Sequence, residues 1–186
     1  MFRKKKETDF IPEDKSEALK ILTANIPGYL GYKNLDIRKD SDVAFRTKLV
    51  NLVRDTRDAM SQVQELLIHS QLLTCWGPAG IVSKKIEDMR KEASNTDYKY
   101  STFFDIKDVE GDNGIDLSIV YILEIEILDN AEEFKDRIFE VKNNLEEMML
   151  DTVQDNITGL MTLSNNFYER FYERNELIRA FEKMKL

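Results

Sequence analysis

The sequence predicts an all-α fold, an elongated antiparallel helical bundle with coiled-coil-like packing, and three observations carry that reading. Gly (7) and Pro (3) are scarce among 186 residues of which 33% are charged, a balance of few breakers and many charges that favours helices. From Phe45, a 4-3 spacing runs through Leu49, Leu52, Thr56, Ala59, Val63, Leu66, Ser70 and Leu73, the heptad seam of a long helix packed lengthwise on others. A second seam runs from Leu117 through Val120, Glu124, Ile127, Ala131, Phe134, Ile138, Val141, Leu145 and Met148 to Thr152, with Glu124 and Thr152 as its polar members.

Residues 1–13 read as a disordered basic and polar tail, and 14–186 as a single helical-bundle domain. The opening Met1-Phe2-Arg3-Lys4-Lys5-Lys6 lacks an apolar run behind it, so it is not a secretory signal. A weak contact with anionic lipid is its minority use. A short helix follows, from Asp14 or Ser16 to about Ala24. Ser16 is placed to cap it, and Ala18, Leu19, Leu22 and Ile26 form its apolar side. Pro27 disfavours helix at Ile26, Gly28 and Gly31 permit tight turns, and Tyr29 and Tyr32 are expected to pin the loop to the bundle end.

The first long helix spans about Leu35 to Leu73. Arg38, Asp42 and Arg46 fall at i, i+4 and i+8 on one face, where an exposed pair is worth about 0.2–0.5 kcal/mol. The helix should end near Thr74 to Gly80, where Gly77-Pro78 reads as a stop. Ser83 then caps a shorter helix to about Asn95.

Residues 98–128 admit two readings. The Tyr98–Phe104 composition, the Gly111-Asp112-Asn113-Gly114 turn and the alternation Leu117, Ile119, Tyr121, Leu123, Ile125, Ile127 suit a β-hairpin, which would make the fold α+β. The seam from Leu117 keeps its phase where strand would have to give way to helix, and this favours one helix from about Asp116 to Asp151. Phase is lost after Asp155-Asn156, so a bend is expected near Gly159. The last helix, from Ile157 or Thr162 to Lys183, carries a tandem Phe-Tyr-Glu-Arg at 167–170 and 171–174.

A net charge of −8 and a pI near 4.9 disfavour a general nucleic-acid binder. From Asp105 to Asp155 sixteen acidic residues face four basic ones, while the remainder carries nineteen acidic and twenty-three basic. This reads as a solvated acidic helix beside basic ones or as an acidic surface for a basic partner. One cysteine, Cys75, excludes an internal disulfide and fits a reducing cytoplasm. No apolar run is long enough to cross a bilayer.

Little in the chain supports catalysis or metal binding. Asp108, Glu110, Asp112 and Gly114 alternate like a calcium loop, but Asn113 stands where its glycine belongs and Ile119 where its bidentate acid belongs. One histidine, His69, and one cysteine exclude ordinary structural zinc sites. No third group is spaced to orient them as a nucleophilic dyad. Neither Gly28-x-x-Gly31 nor Gly77-x-x-Gly80 has a phosphate-loop spacing. No catalytic residue, metal or cofactor is therefore expected. The aromatic loops are a different matter. Tyr29 and Tyr32 in one, and Tyr98, Tyr100, Phe103 and Phe104 in the other, either cap the apolar end of the bundle or line a recess. The candidate ligand-binding residues are then Tyr29, Tyr32, Arg38, Asp42, Arg46, Tyr98, Tyr100 and Asp105.

Ile26-Pro27-Gly28-Tyr29, Gly31-Tyr32-Lys33, and then Arg38, Asp42 and Arg46, resemble the opening of a family of uncharacterised bacterial and archaeal helical proteins. There a Pro-Gly-Tyr/Gly-Tyr loop leads into a charged helix, and a tyrosine-rich Phe-Asp segment, here Tyr98, Tyr100, Phe104 and Asp105, precedes another long helix. The resemblance covers roughly 26–130. It departs at Lys99, at Ser101-Thr102, where small residues are expected, and over 75–81. It implies an all-helical fold and brings no activity with it.

The function expected is a non-enzymatic protein–protein interaction or scaffold module in the cytoplasm, partnered by another protein or by itself. The alternative is a small-ligand-binding protein or enzyme using a recess between the loops at 26–32 and 97–105.

Overall fold

The described residues form five helices and no strand. The computed structural model describes residues 15–97, 102–107, 109 and 115–183, with backbone only at 15, 16, 182 and 183. The helices are α1 (Lys15–Asn25), α2 (Leu35–His69), α3 (Trp76–Ser94), α4 (Leu117–Glu146) and α5 (Val153–Lys183). Single 3₁₀ turns lie at Leu73–Cys75, Thr102–Phe104 and Leu150–Thr152. The 1–13 tail, the Ser16 cap, Tyr98, Tyr100, the Gly111–Gly114 turn and the calcium-like loop lie outside the described residues or side chains.

α2–α3 and α4–α5 are two helical hairpins. α2 packs on α3 and α4, and α5 packs on the same two, so α2 and α5 face each other across one diagonal and α3 and α4 across the other. Consecutive helices are antiparallel. Across the two hairpins the neighbours α2 and α4 run the same way, since side chains from the first halves of both meet the second halves of α3 and α5, as described below. The end of α3 and the start of α4 therefore lie at diagonal corners of one end of the bundle, and Phe103 and Phe104, from the chain between them, are buried. Alone, an 11-residue helix is marginal in water; α1 is held by Ala18 and Leu22, which are buried, in its packing on α4.

The heptad seams are buried along the helices, but their predicted ends are not: Leu73, Met148 and Thr152 lie past the helix ends and are exposed. Phe45, Leu49, Leu52, Thr56, Ala59 and Val63 of α2 line the core, as do Val120, Ile127, Ala131, Phe134, Ile138, Val141 and Leu145 of α4. The hairpin reading of 98–128 fails: 117–127 is continuous helix, capped by Asp116, whose side chain accepts from the Ser118 N–H at 3.0 Å. Leu117, Val120, Leu123, Glu124 and Ile127 turn inward while Ile119 stays exposed, so burial on a helical period overrides local β-propensity.

Three expected boundaries move. α2 stops at His69, and Gly77-Pro78 lies in the first turn of α3, where a proline's missing N–H costs no hydrogen bond. The reversal comes earlier, at Ser70–Leu72. The Leu72 N–H donates to Leu67 O and the Gln71 N–H to Ile68 O, a Schellman turn with Gln71 at φ +57°. α4 ends in the same turn at Glu147–Met149, with Met148 also at φ +57°. Ser83 is thus an interior residue of α3 rather than a cap, and Gly159 lies inside an unbroken 31-residue α5 rather than at a bend.

Candidate functional site

At the end of the bundle where α2 and α4 begin, charged side chains occupy seam positions and are fully buried. Counting back from Phe45 at the same 3-4 spacing gives Asp42 and Arg38, both 0% exposed. Glu124 of α4 and Arg174 of α5 are equally buried. Arg174 joins them. Its Nε and Nη2 donate to Glu124 Oε1 at 3.1 and 2.7 Å, and Nη2 also donates to the Tyr32 hydroxyl at 2.7 Å and to Asp42 Oδ1. The Tyr32 and Tyr29 hydroxyls donate to Glu124 Oε1 and Oε2, each at 2.5 Å. On the far side of Asp42, Arg46 Nε donates to Oδ2 at 2.7 Å. Arg46 continues outward to the Glu92 carbonyl at 3.0 Å and to Asn175 Oδ1 at 3.1 Å.

The 26–34 loop enters this cluster because its backbone can fold tightly. Gly31 has φ +81°, and a Cβ there would meet Leu19 Cδ1 at 2.8 Å and the Tyr121 hydroxyl at 2.9 Å. That hydroxyl accepts from the Tyr32 N–H at 3.0 Å, and the Tyr121 ring stacks on Tyr32 at 6.0 Å. Tyr29 and Phe103 approach Tyr32 edge-on at 5.7 and 5.6 Å.

Arg38 plays a separate part. Nε donates to Tyr32 O at 2.7 Å, and Nη1 donates to Ile106 O at 2.8 Å and to Phe103 O. Its guanidinium lies 5.0 Å from the Phe103 ring centre. It thereby straps the Thr102–Ile106 stretch, between α3 and α4, onto α2. Burial lowers its pKa from the ordinary arginine value.

Burial penalises every charge in the cluster, and proximity decides the outcome. At Asp42 burial is outweighed by Arg174 and Arg46 together, which hold its carboxyl below the ordinary range. Glu124 shares one guanidinium with Asp42, and burial wins there, raising its pKa. Arg174 is held protonated, because Asp42, Tyr32 and Glu124 outweigh its burial. Burial pushes both Tyr29 and Tyr32 up, so the phenols are fixed proton donors to Glu124 rather than bases. The groups thus satisfy one another, binding α2, α4, α5 and the 26–34 loop together.

Of the candidate residues, Tyr29, Tyr32, Arg38, Asp42 and Arg46 are brought together. Asp105 is exposed and pairs with Lys39 at 3.0 Å, outside the cluster. Tyr98 and Tyr100 lie outside the described residues. Sequence reasoning missed Glu124 and Arg174 as members; their signal was a charge on an apolar seam. Cys75 is buried, while His69 is exposed and its Nδ1 lies 2.9 Å from Glu65 O. Among the described residues no group of three His, Cys, Asp or Glu is placed to hold a metal ion. A shallow groove between α4 and α5 is lined by Glu133, Arg137, Glu140 and Asp155.

The opposite end, where both hairpins turn, is built differently. Leu73 is 70% exposed, Met148 65%, Ile68 52%, Met149 50% and Trp76 43%. Leu72 and Leu150, beside them in the chain, are partly buried against the core.

The fold and this arrangement define a helical bundle clasped at one end by a buried ionic cluster, with exposed apolar side chains at the two hairpin turns of the other. No family model, curated protein or solved structure matches this chain. No described helix is long and apolar enough to cross a membrane.

Proposed function

We propose that this chain is a non-enzymatic protein–protein interaction module that presents its turn end to a partner. The observation that carries this reading is that Leu73, Trp76, Met148 and Met149 stand exposed at the two hairpin turns, which lie at the same end of the bundle. Exposed apolar surface of this kind, bordered by polar residues, is where soluble domains meet partners. The clasp at the other end supports the reading. A bundle whose register is fixed by buried charge presents its turns from a rigid base. A cytoplasmic setting fits the single buried thiol. Self-association through the same end is the homotypic form of this function.

Recovery of the tagged protein from its native cells tests the reading. Wild type should carry a stoichiometric protein partner or a second copy, which Leu73→Gln with Met148→Asn removes without lowering the melting temperature. An unchanged set of partners in that variant would contradict it.

The second reading, a small-ligand binder, draws on the convergence of Tyr29, Tyr32, Arg38 and Asp42. It requires the Arg38 strap to open. A metabolite that raises the melting temperature of wild type but not of Tyr32→Phe would favour it over the first.

A further inference from the structure

The groove between α4 and α5 encloses about 470 Å³ and has an apolar floor, with Val141 and Leu160 buried beneath polar walls. Its register follows from the Glu126–Arg170 pair at 3.3 Å. Arg137 and Gly159 each lie eleven residues along from that pair on antiparallel helices, so they stand opposite each other at the centre of the groove. Glu133 lies about one turn toward the clasp on α4, and Asp155 about one turn toward the hairpin turn on α5. At about 1.5 Å per residue their levels are about 12 Å apart.

The charges on these walls do not cancel. Arg137 is engaged by Glu140 at 2.9 Å. The side chains of Glu133 and Asp155 have no ion pair or hydrogen bond among the described residues. No lysine or arginine occurs from 143 to 169, which contains the whole α5 wall. On α4, Lys135 and Lys142 lie about 140° or more round the helix from Glu133, Arg137 and Glu140, away from the groove. Arg170 lies about two turns past the groove on α5 and is engaged by Glu126 and Glu173.

Gly159 adds an observation of a different kind. Glycine is the poorest helix former after proline, yet this one lies inside α5. A Cβ there would meet nothing within 4 Å, so no packing within the chain requires the gap. The bare backbone lies at the centre of the groove, where a second backbone can approach closely.

We infer that this groove seats a basic helix of a partner protein. Lysine or arginine residues about seven or eight positions apart on that helix span the two levels and meet Glu133 and Asp155, while a small residue between them lies over Gly159. The bare backbone sets the closest approach. The two carboxylates select basic over acidic helices and make the on-rate salt-dependent. A second copy laid groove to groove would set the unpaired carboxylates of both copies against one another, so charge favours a different chain. The groove is separate from Leu73, Trp76, Met148 and Met149, and the inference goes beyond the turn-end reading without resting on it.

The probes are two fluorescein-labelled helical peptides that share a central alanine flanked by leucines. One carries a pair of lysines at the inferred spacing beside that face, and the other a pair of glutamates. The lysine peptide should bind saturably, more weakly at high salt, and should move the amide resonances of residues 155–163, and the glutamate peptide should not. Gly159→Met keeps the net charge and places a side chain in the gap, where its Cβ meets nothing in the chain. It should weaken binding by about tenfold or more at an undiminished melting temperature. Glu133→Gln with Asp155→Asn should flatten the salt dependence. Equal binding of the two peptides, no binding, shifts confined to other residues, full binding by Gly159→Met, or an unaltered salt dependence in the double variant would each overturn the inference. Shifts of 155–163 that grow with the protein's own concentration make a second copy the occupant. Tighter binding of the lysine peptide once Met1 to Lys6 are deleted makes the chain's own basic start the occupant. Either result overturns the partner helix. The turn-end reading is decided separately, by recovery of Leu73→Gln with Met148→Asn from native cells.

Discussion

Arg174 near the end of α5 donates through Nη2 to Asp42 near the start of α2, across the bundle diagonal and with both side chains buried. The same guanidinium holds Glu124 of α4 at 2.7 Å, so one side chain ties three helices.

Removing that guanidinium leaves two buried carboxylates short of a partner. Arg174→Met should lower stability by about 3–5 kcal/mol in chemical denaturation. Arg170 holds the same place in the preceding Phe-Tyr-Glu-Arg unit, is exposed, and pairs with Glu173 at 2.7 Å. Arg170→Met should stay within about 0.5 kcal/mol of wild type. Equal losses from the two substitutions would mean that Arg174 is not a tie.

Asp42 and Glu124 should titrate in opposite directions. The depressed folded pKa of Asp42 gives stability that is present above its unfolded value, about 3.9, and lost as pH falls through the folded value. Glu124, raised by burial, gives stability that is present below its unfolded value, about 4.3, and lost as pH rises through the folded value. Asp42→Asn should therefore blunt the loss of stability in acid, and Glu124→Gln the loss on the alkaline side of the glutamate range. Carboxyl-carbon NMR should find Asp42 the last to protonate and Glu124 the first. The reverse order contradicts the assignment.

Gly28 and Gly31 share a positive φ, of +82° and +81°, but only Gly31 is crowded. Gly31→Ala should destabilise more than Gly28→Ala, whose added Cβ meets nothing within 4 Å. The first combines backbone strain with displacement of Tyr121, and the second has the backbone term alone, about 1 kcal/mol. Paired melting curves and the Tyr121 ring resonances check this.

Helix interiors and ends respond oppositely to glycine. Gly159→Ala should raise stability by about 0.5–1 kcal/mol, because α5 is unbroken there and an added Cβ meets nothing. Met148→Gly should also stabilise, by relieving the left-handed backbone. A loss of stability in Gly159→Ala would put a bend back at that position.

Arg38→Lys keeps the charge but loses the fork that reaches the Tyr32, Lys33, Phe103 and Ile106 carbonyls. The amides of Asp105 and Ile106, which donate to Thr102 O, should then exchange faster than those of α2 and α4. Unchanged protection there would mean that Phe103 alone secures the strap.

The helices were legible because their seams are long and apolar, and burial enforces that period even over the strand-like stretch from Leu117 to Ile127. The ends were less so. A Schellman turn announces itself by glycine, and here Gln71 and Met148 stand in its place, while Gly77-Pro78 looks like a stop and serves as a start. The clasp was half legible. Asp42 paired with Arg46 resembles an ordinary surface pair until the seam is extended back past Phe45. Arg170 and Arg174 each follow the same Phe-Tyr-Glu triplet. A four-residue step advances about 40° beyond a full turn, enough to carry the second arginine from the surface into the core.

The working end is tested most directly by placing a photo-crosslinking amino acid at two exposed positions in turn, Met148 at the hairpin turns and Leu30 at the clasped end, and irradiating native cells. The account predicts a discrete protein adduct from position 148 and none from position 30. Adducts from position 30 alone would contradict it.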